Sequence, residues 1–425
     1  MSLKLRLVVM IFLQFFVWGA WLITIGAYWF QTRQWSAGEF GIIFSTMGIA
    51  SLFMPPLMGI VADKWIRAER LYGILHLLGA VMLFTLPLVD TPKAFFWVML
   101  VNMCFYMPTI ALAITVAYNA LKQDGHNIVK AYPPIRVWGT VGFIAAMWMV
   151  SLSGFEVTAG QFQIAGVAAV LLGLYAFTLP PCPPRYTAHT SLIDSLGLRS
   201  FALMKDYKMA VFFIFAMFLG GALQLTNAYG DTFLHDFAKL PEFKDALAIR
   251  YPAITMSISQ ISETLLILAI PFFLTRYGIK TVMLMSMVAW VLRFGLFAYA
   301  DPGPLLWMII LSNIIYGLAF DFFNVSGSLF VESEADPQIR ASAQGLFMLM
   351  TNGIGAVLGN LIAGWAIDTF FTIPGCDPGS RICFEWRGIW LSFAGYAAVV
   401  TVLFAILFRH RHTPADAARI GAAHA

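Results

Sequence analysis

The sequence predicts an all-α membrane protein with twelve transmembrane helices in two six-helix halves. Three observations predict it. First, hydrophobic residues make up 60% of the 425-residue chain and charged residues 11%, whereas a soluble domain carries roughly 45–50% and about 25%. Aromatics reach 15%, more apolar surface than a soluble core of this length needs, so the bilayer acts as the solvent. Second, the apolar residues fall into runs of about 20 or more, the length that spans a hydrocarbon core. Third, Lys and Arg crowd on alternate sides of those runs, as the positive-inside rule demands.

The first run, 7–30, follows Lys4 and Arg6, carries Gln14, Trp18 and Trp21, and lacks a small-residue cleavage site. It reads as a permanent helix and not as a cleaved signal. Runs at 39–62, 71–89, 94–120, 135–155 and 162–180 complete the first half, and a Pro cluster stops the sixth. The interval 181–208, PCPPRYTAHTSLIDSLGLRSFALMKDYK, is the longest non-apolar stretch between runs. The second half follows at 209–235, 251–275, 279–299, 304–331, 340–370 and 388–408. The implied domains are an N-terminal bundle over 1–180, a cytoplasmic middle loop over 181–208, a C-terminal bundle over 209–410 and a cytoplasmic tail over 411–425.

Orientation follows from the basic residues. An even number of spans puts both termini on one side. That side holds 18 of the 26 Lys and Arg residues and the other holds 7, with Arg293 inside the ninth run. The excess places the termini and the middle loop in the cytoplasm and the chain in a cytoplasmic (inner) membrane.

The formal net charge of +4 is small, and its bases sit in loops beside apolar runs, so it reads as membrane orientation and not as nucleic-acid binding. The sequence contains no phosphate-binding Gly loop, no CxxC pair and no HExxH, and its seven His are scattered or in the tail. No metal site is expected. No nucleophile–base constellation is legible, so no catalytic residues are assigned and the chain is not read as an enzyme.

Charges inside spans cost at least about 2.5–3.5 kcal/mol each and are functional candidates by default. The 25 positions of 251–275 contain one charge, Glu263, at their centre, and the 30 positions of 302–331 contain one, Asp321. The competing reading of each is a buried structural pair with a cation from elsewhere. Arg136 opens the fifth run, where it is either a cytoplasmic anchor or part of a face, since Arg136, Thr140 and Phe143 stand at i, i+4 and i+7. Arg293 reads as snorkelling toward the outer interface. Gln224 with Asn227, and Gln260 with Glu263, are each spaced i, i+3 on one helix face. One amide suffices for interhelical glue, whereas here two helices offer two polar residues each. Tyr316 and Phe320 add rings at i, i+4 beside Asp321. Amides, carboxylates and flat rings suit a polar, uncharged solute with a heterocycle. Gly139 with Gly142, Gly220 with Gly221, and Gly355 with Gly359 read as close helix packing; Asn352 is ambiguous.

The basic turns GIVADKWIRAERL at 59–71 and FFLTRYGIKTV at 272–282 occupy equivalent places in the two halves. With Gly59, Asp63 and Lys64, the first resembles the signature loop of the major facilitator superfamily. That resemblance implies a substrate site near the bilayer midplane between the halves. More specific strings extend it: FLQFFVWGAWL, FMPPLMGIVADKW, YPPIRVWGTVGF, MSISQISETL, PFFLTRYGIK, FDFFNVSGS and IRASAQGLFMLMTNG. Through them nearly the whole chain, about 1–411, resembles the bacterial nucleoside:proton symporters of the NupG/XapB type. The resemblance implies nucleoside import coupled to inward proton flow by alternating access. It implies substrate-binding roles for Arg136, Thr140, Phe143, Gln224, Asn227, Gln260, Glu263, Tyr316 and Phe320. It also places Asp321 at the site, and Glu263 and Asp321 are the two candidates for proton coupling. The spacing alone does not show that the ligand is a nucleoside.

The expected partners are a nucleoside, protons and membrane lipid, with no nucleic acid. The energy source is the proton gradient, with no cofactor, and the chain is expected to be a monomer. Alternatives are a proton-coupled transporter of another polar solute such as a sugar, an exporter, or a non-transporting membrane sensor. Two features depart from the family pattern: the middle loop with LPPCPPRYTAH, and the loop GCDPGSRICF with Cys376 and Cys383. The charge bias puts that second loop outside. Its turn residues Pro378 and Gly379 favour a Cys376–Cys383 disulfide in an oxidising compartment.

Overall fold

The structure, a computed structural model, describes residues 2–184, 198–336, 339–376 and 382–410. The tail 411–425 and residues 185–197 of the middle loop therefore lie outside the described residues. Among those described, the chain is helical apart from turns and one isolated antiparallel bridge between Thr372 and Phe384. It divides into two compact units, Met1–Leu192 and Ile193–Ala425.

The first unit contains α1 (Leu3–Gly19), α2 (Ala37–Phe44), α3 (Thr46–Lys64), α4 (Ala68–Thr85), α5 (Pro92–Gln123), α6 (Ile128–Leu152) and α7 (Gly160–Ala176). Local chemistry sets several starts. The Ser36 and Thr91 hydroxyls accept from the Glu39 and Ala94 amides, and Pro92 follows as a first helical residue that has no N–H to orphan. The run 7–30 is not one α-helix. It ends at Gly19 and resumes as a short helix at Ile25–Ala27 and a wide π turn at Tyr28–Thr32. The interruption is held by polar side chains: Thr24 donates to Gln161 Oε1 at 2.9 Å, and Gln161 Nε2 donates to the Glu156 carbonyl at 2.8 Å. A break in lipid survives only where such partners exist. The proline-rich 181–184 segment is strapped down. Cys182 N donates to Glu69 Oε2 at 2.8 Å, and Asn119 and Gln123 both donate to the Pro181 carbonyl.

The second unit contains α8 (Tyr207–Leu223), α9 (Leu225–Phe237), α10 (Pro252–Leu266), α11 (Ile270–Tyr299), α12 (Leu306–Glu334), α13 (Arg340–Met348), α14 (Ala356–Ala366) and α15 (Trp386–Leu407). Asp206 caps α8 by accepting from the Met209 amide at 3.0 Å. A π segment, Leu349–Gly355, joins α13 to α14. α11 is two helices across a kink at Gly278, where φ is +76°. Only glycine takes that conformation without strain, so the loop FFLTRYGIKTV becomes a corner.

The same pairings recur in each unit. In the first, α1 packs on α6, α3 on α5, and α4 on both α5 and α7. In the second, α8 packs on the 349–355 segment, α10 on α12, and α11 on both α12 and α15. Nine helical runs among the described residues are long and apolar enough to cross a membrane. One of them, Pro252–Tyr299, has 48 residues and contains the Gly278 kink. Two elements expected to span, α1 and α7, have 17 residues each, one turn short of a full crossing as regular helix.

Candidate functional site

In the second unit, the residues singled out by spacing converge where α9, α10 and α12 meet. α8 ends and α9 begins at Gln224, so the amide face of Gln224 and Asn227 stands at a helix break. Both side chains are half-buried. Asn227 reaches the Tyr316 hydroxyl. Tyr316 is 3% exposed, and its ring stacks on Phe320 with centroids 5.5 Å apart and an interplanar angle of 18°. Glu263, Asp321 and Arg293 all interact electrostatically with Tyr316, and the two carboxylates interact with each other.

Gly317 explains how α10 comes so close to α12. A Cβ there would stand 2.7 Å from the Ser262 carbonyl and 2.8 Å from the Glu263 backbone nitrogen. The Ser262 hydroxyl donates to the Ile314 carbonyl at the same crossing, and Ser259 donates to Asn313 Oδ1 at 2.8 Å. The carboxylate of Glu263 is thus delivered to the aromatic face of α12 by backbone contact.

Two buried oxygens in this cluster have no hydrogen-bond partner among the described residues: Gln260 Oε1 and Asp321 Oδ2. Leaving a buried acceptor unmade costs about 1–3 kcal/mol. Such atoms are where a ligand hydroxyl or a proton is best received.

Arg293 corrects the sequence expectation. It does not snorkel outward. Its side chain is 0% exposed, with Nη1 donating to the Ser312 carbonyl at 2.6 Å, Nε to Thr226 Oγ1 at 3.3 Å and Nη2 to Ser259 Oγ at 3.4 Å. Its guanidinium lies 4.7 Å from the Tyr316 ring centre. Three helices supply oxygens at its height, so the inward route satisfies the fork where the outward one offers only headgroups. Asp231, in the seventh run, is a second omission: it is fully buried, with His235 Nε2 3.5 Å away at i+4. A carboxylate four residues before a His in an apolar run was the available signal.

In the first unit, Arg136 and Phe143 on α6 pack against rings of α1, and Thr140 between them in sequence is half-buried. The Arg136 guanidinium lies 4.2 Å from the Phe15 ring centre, and Phe143 meets Trp18 edge-on at 6.3 Å. Trp18 in turn meets Tyr106 at 5.8 Å, and its Nε1 has no partner among the described residues. This stretch of α6 therefore offers a cation, a hydroxyl and a ring backed by aromatics, with one spare indole donor. Behind it lies a closed polar knot. Gln14 Nε2 donates to Thr109 Oγ1 at 2.9 Å, while Gln14 Oε1 accepts from Tyr72 at 2.7 Å and lies 2.9 Å from His76 Nε2.

The loop before α15 holds Cys376 and Cys383 bonded to each other, with Cα atoms 5.6 Å apart. Phe371, Ile373, Cys383 and Glu385 exchange backbone hydrogen bonds across its base, while 377–381 lie outside the described residues.

Comparison with known proteins agrees in family and in fold. A family profile described as nucleoside H+ symporter matches residues 1–413. The xanthosine permease of Escherichia coli K12 is 53% identical over 416 residues, covering 97% of this chain and 98% of the relative. The nucleoside permease NupG of the same organism is 50% identical over 414 residues, with 97% of each chain covered. A crystal structure of nucleoside transporter NupG superposes with a TM-score of 0.90 at 49% identity, covering 97% of this chain and 100% of that one.

Proposed function

The chain belongs to the nucleoside H+ symporter family, and from that premise we infer that it imports nucleosides with protons by alternating access. The observation that carries the mechanism is the cluster in the second unit. Two carboxylates in electrostatic contact share it with a stacked ring pair, an amide face and two unmatched buried oxygens.

Each part has a role. The amides of Gln224, Asn227 and Gln260 give paired donors and acceptors to base edges and ribose hydroxyls. Tyr316 and Phe320 in the second unit, and Phe143 in the first, stack on the base. Arg136 and Thr140 add a donor and a hydroxyl. Glu263 and Asp321 hold the coupled proton. Two neighbouring carboxylates do not both ionise readily in a low-dielectric site, so the pair loads a proton from the acidic side and loses it to the alkaline side. A ligand hydroxyl held by Glu263 and Gln260 ties occupancy to that event.

The xanthosine and nucleoside permeases among its relatives support nucleosides as the substrate class. The architecture proposed is twelve spans on the major facilitator plan. The nine apolar runs support it, with the 48-residue run divided at Gly278 and α1 and α7 completed by their flanking turns. The excess of Lys and Arg supports cytoplasmic termini in an inner membrane. The chain works as a monomer on the proton gradient alone.

The test is uptake of labelled nucleoside into proteoliposomes with and without an imposed proton gradient. With the interior alkaline by about one pH unit, one coupled proton permits about tenfold accumulation, and a protonophore abolishes it. Uptake that ignores the gradient, or a label displaced by sugars but not by nucleosides, refutes the reading.

A further inference from the structure

Among the described residues, Arg293 is a buried cation packed on Tyr316, the side chain with which Glu263 and Asp321 also interact, and the arrangement asks what it is for. It is fully buried, and its hydrogen bonds all go to neutral oxygens on α9, α10 and α12. A guanidinium removed from water needs compensating charge nearby. The compensation lies on the same helices. Ser259, which it contacts on α10, stands at i, i+4 to Glu263. Ser312, whose carbonyl it contacts on α12, stands at i, i+4 to Tyr316. Tyr316 carries the guanidinium on its face and interacts with both Glu263 and Asp321.

Three other charges on the neighbouring α9 and α15 have partners elsewhere. Asp231 faces His235 at 3.5 Å, Asp236 faces Lys239 at 2.5 Å, and Arg387 sits 4.6 Å from the Tyr299 ring centre. The face of α15 against α11 presents the rings of Trp390 and Phe393.

Taking Glu263 and Asp321 as the proton-coupling pair, as proposed above, we propose that Arg293 is the fixed countercharge that makes the cluster a one-proton device. With Arg293 charged, the cluster carries −1 when both carboxylates are ionised and zero when one holds a proton. One proton therefore switches it between a charged empty state and a neutral loaded state. A neutral nucleoside adds no charge, so the loaded site crosses the low-dielectric interior uncharged. Arg293 acts through Tyr316 and the carboxylates and does not touch the ligand; it is a positioning residue whose contribution is charge.

Charge arithmetic then makes a reciprocal prediction. Asp321→Asn or Glu263→Gln leaves one carboxylate against Arg293. That site is already neutral without a proton, so each single variant loses gradient-driven accumulation, while counterflow exchange persists in Asp321→Asn and persists at lower affinity in Glu263→Gln, where the ligand hydroxyl loses its carboxylate. Adding Arg293→Gln to either restores the −1 to zero cycle. Gln retains an amide that can donate to the neutral oxygens.

Accumulation and counterflow exchange are measured in proteoliposomes at an imposed difference of about one pH unit, with size-exclusion profiles checking the fold. The expected result is accumulation near unity in both single variants. It recovers severalfold toward the parent's roughly tenfold ratio in Asp321→Asn/Arg293→Gln, and stays lost in Asp321→Asn/Arg293→Lys, where the charge persists. A folded, exchanging Arg293→Gln double variant that does not regain accumulation overturns the countercharge role while leaving the coupling carboxylates in place. Two single variants that both accumulate like the parent overturn the coupling assignment itself, and this proposal with it. If the double variant does not fold, the parent's own proton count decides: one per nucleoside is expected, and two overturns the proposal.

Discussion

At the residue scale, Gln260 and Asp321 hold the unmatched polar atoms of the proposed site, beside the amides of Gln224 and Asn227. Asp321 Oδ2 and Gln260 Oε1 are buried without partners among the described residues, which a purely structural polar pair avoids. A nucleoside that bonds to this face leaves its own groups unpaired when one side chain is removed. Gln224→Ala and Asn227→Ala should therefore each weaken binding by about 1–3 kcal/mol, roughly ten- to hundredfold in Kd, with less change in the thermal midpoint of the empty protein. Phe143→Ala and Phe320→Ala should lose a comparable amount, about 1–3 kcal/mol for a base stacked on an aromatic ring. Calorimetric titration with nucleoside checks all four; parent-like affinity in every one would mean the pocket is misplaced.

At the element scale, the site depends on how closely α10 approaches α12. Ser262 and Glu263 press their backbone against Gly317, so no side chain fits between the two helices. Gly317→Ala should push them apart, weaken nucleoside binding at least tenfold and lower the thermal midpoint. Gly295→Ala is the matched control, since a Cβ at Gly295 meets nothing within 4 Å and Ala is the better helix former. Equal binding in the two variants would show that the helix contact does not position Glu263. The recurrence of the same pairings in both units gives this crossing a counterpart, α3 on α5, in the first. That counterpart carries Pro55, Pro56 and Pro108 and no buried carboxylate pair among the described residues. The repeat is thus one of packing, and the proposed proton-binding pair on α10 and α12 has no equivalent on α3 and α5 among the described residues.

At the scale of the whole molecule, the loop from 371 to 387 is the departure from the family pattern that the structure gives a form. Cys376 and Cys383 are bonded across it and backbone hydrogen bonds close its base, so it is a clasp remote in sequence from α10 and α12. Non-reduced peptide mapping of protein from the native membrane should find the two cysteines linked. Cys376→Ser should leave nucleoside uptake within about twofold of the parent, at a cost in stability of up to about 3 kcal/mol, since a short closed loop gains less from a crosslink than a long one. Loss of uptake in that variant would tie the clasp to the transport cycle.

Hydropathy, basic-residue bias and residue spacing are properties of single helices against a bilayer, so the sequence by itself determined where the apolar runs lie, which loops its bases favour, and that Glu263 and Asp321 stand within apolar runs. The family motifs, read in order along the chain, did the same for the substrate class. Periodicity also picked out Arg136, Thr140 and Phe143 on α6, and the ring pair of Tyr316 and Phe320. What lies across a helix interface is not written along either helix. The direction taken by Arg293 was settled by the oxygens of Thr226, Ser259 and Ser312 on three other elements. The importance of Gly317 was settled by the backbone facing it. The break after Gly19 survives because Gln161, far along the chain, is there to receive Thr24. Only the tertiary structure decides such cases, because a buried polar group is stable or costly according to its partners, and those partners come from distant sequence.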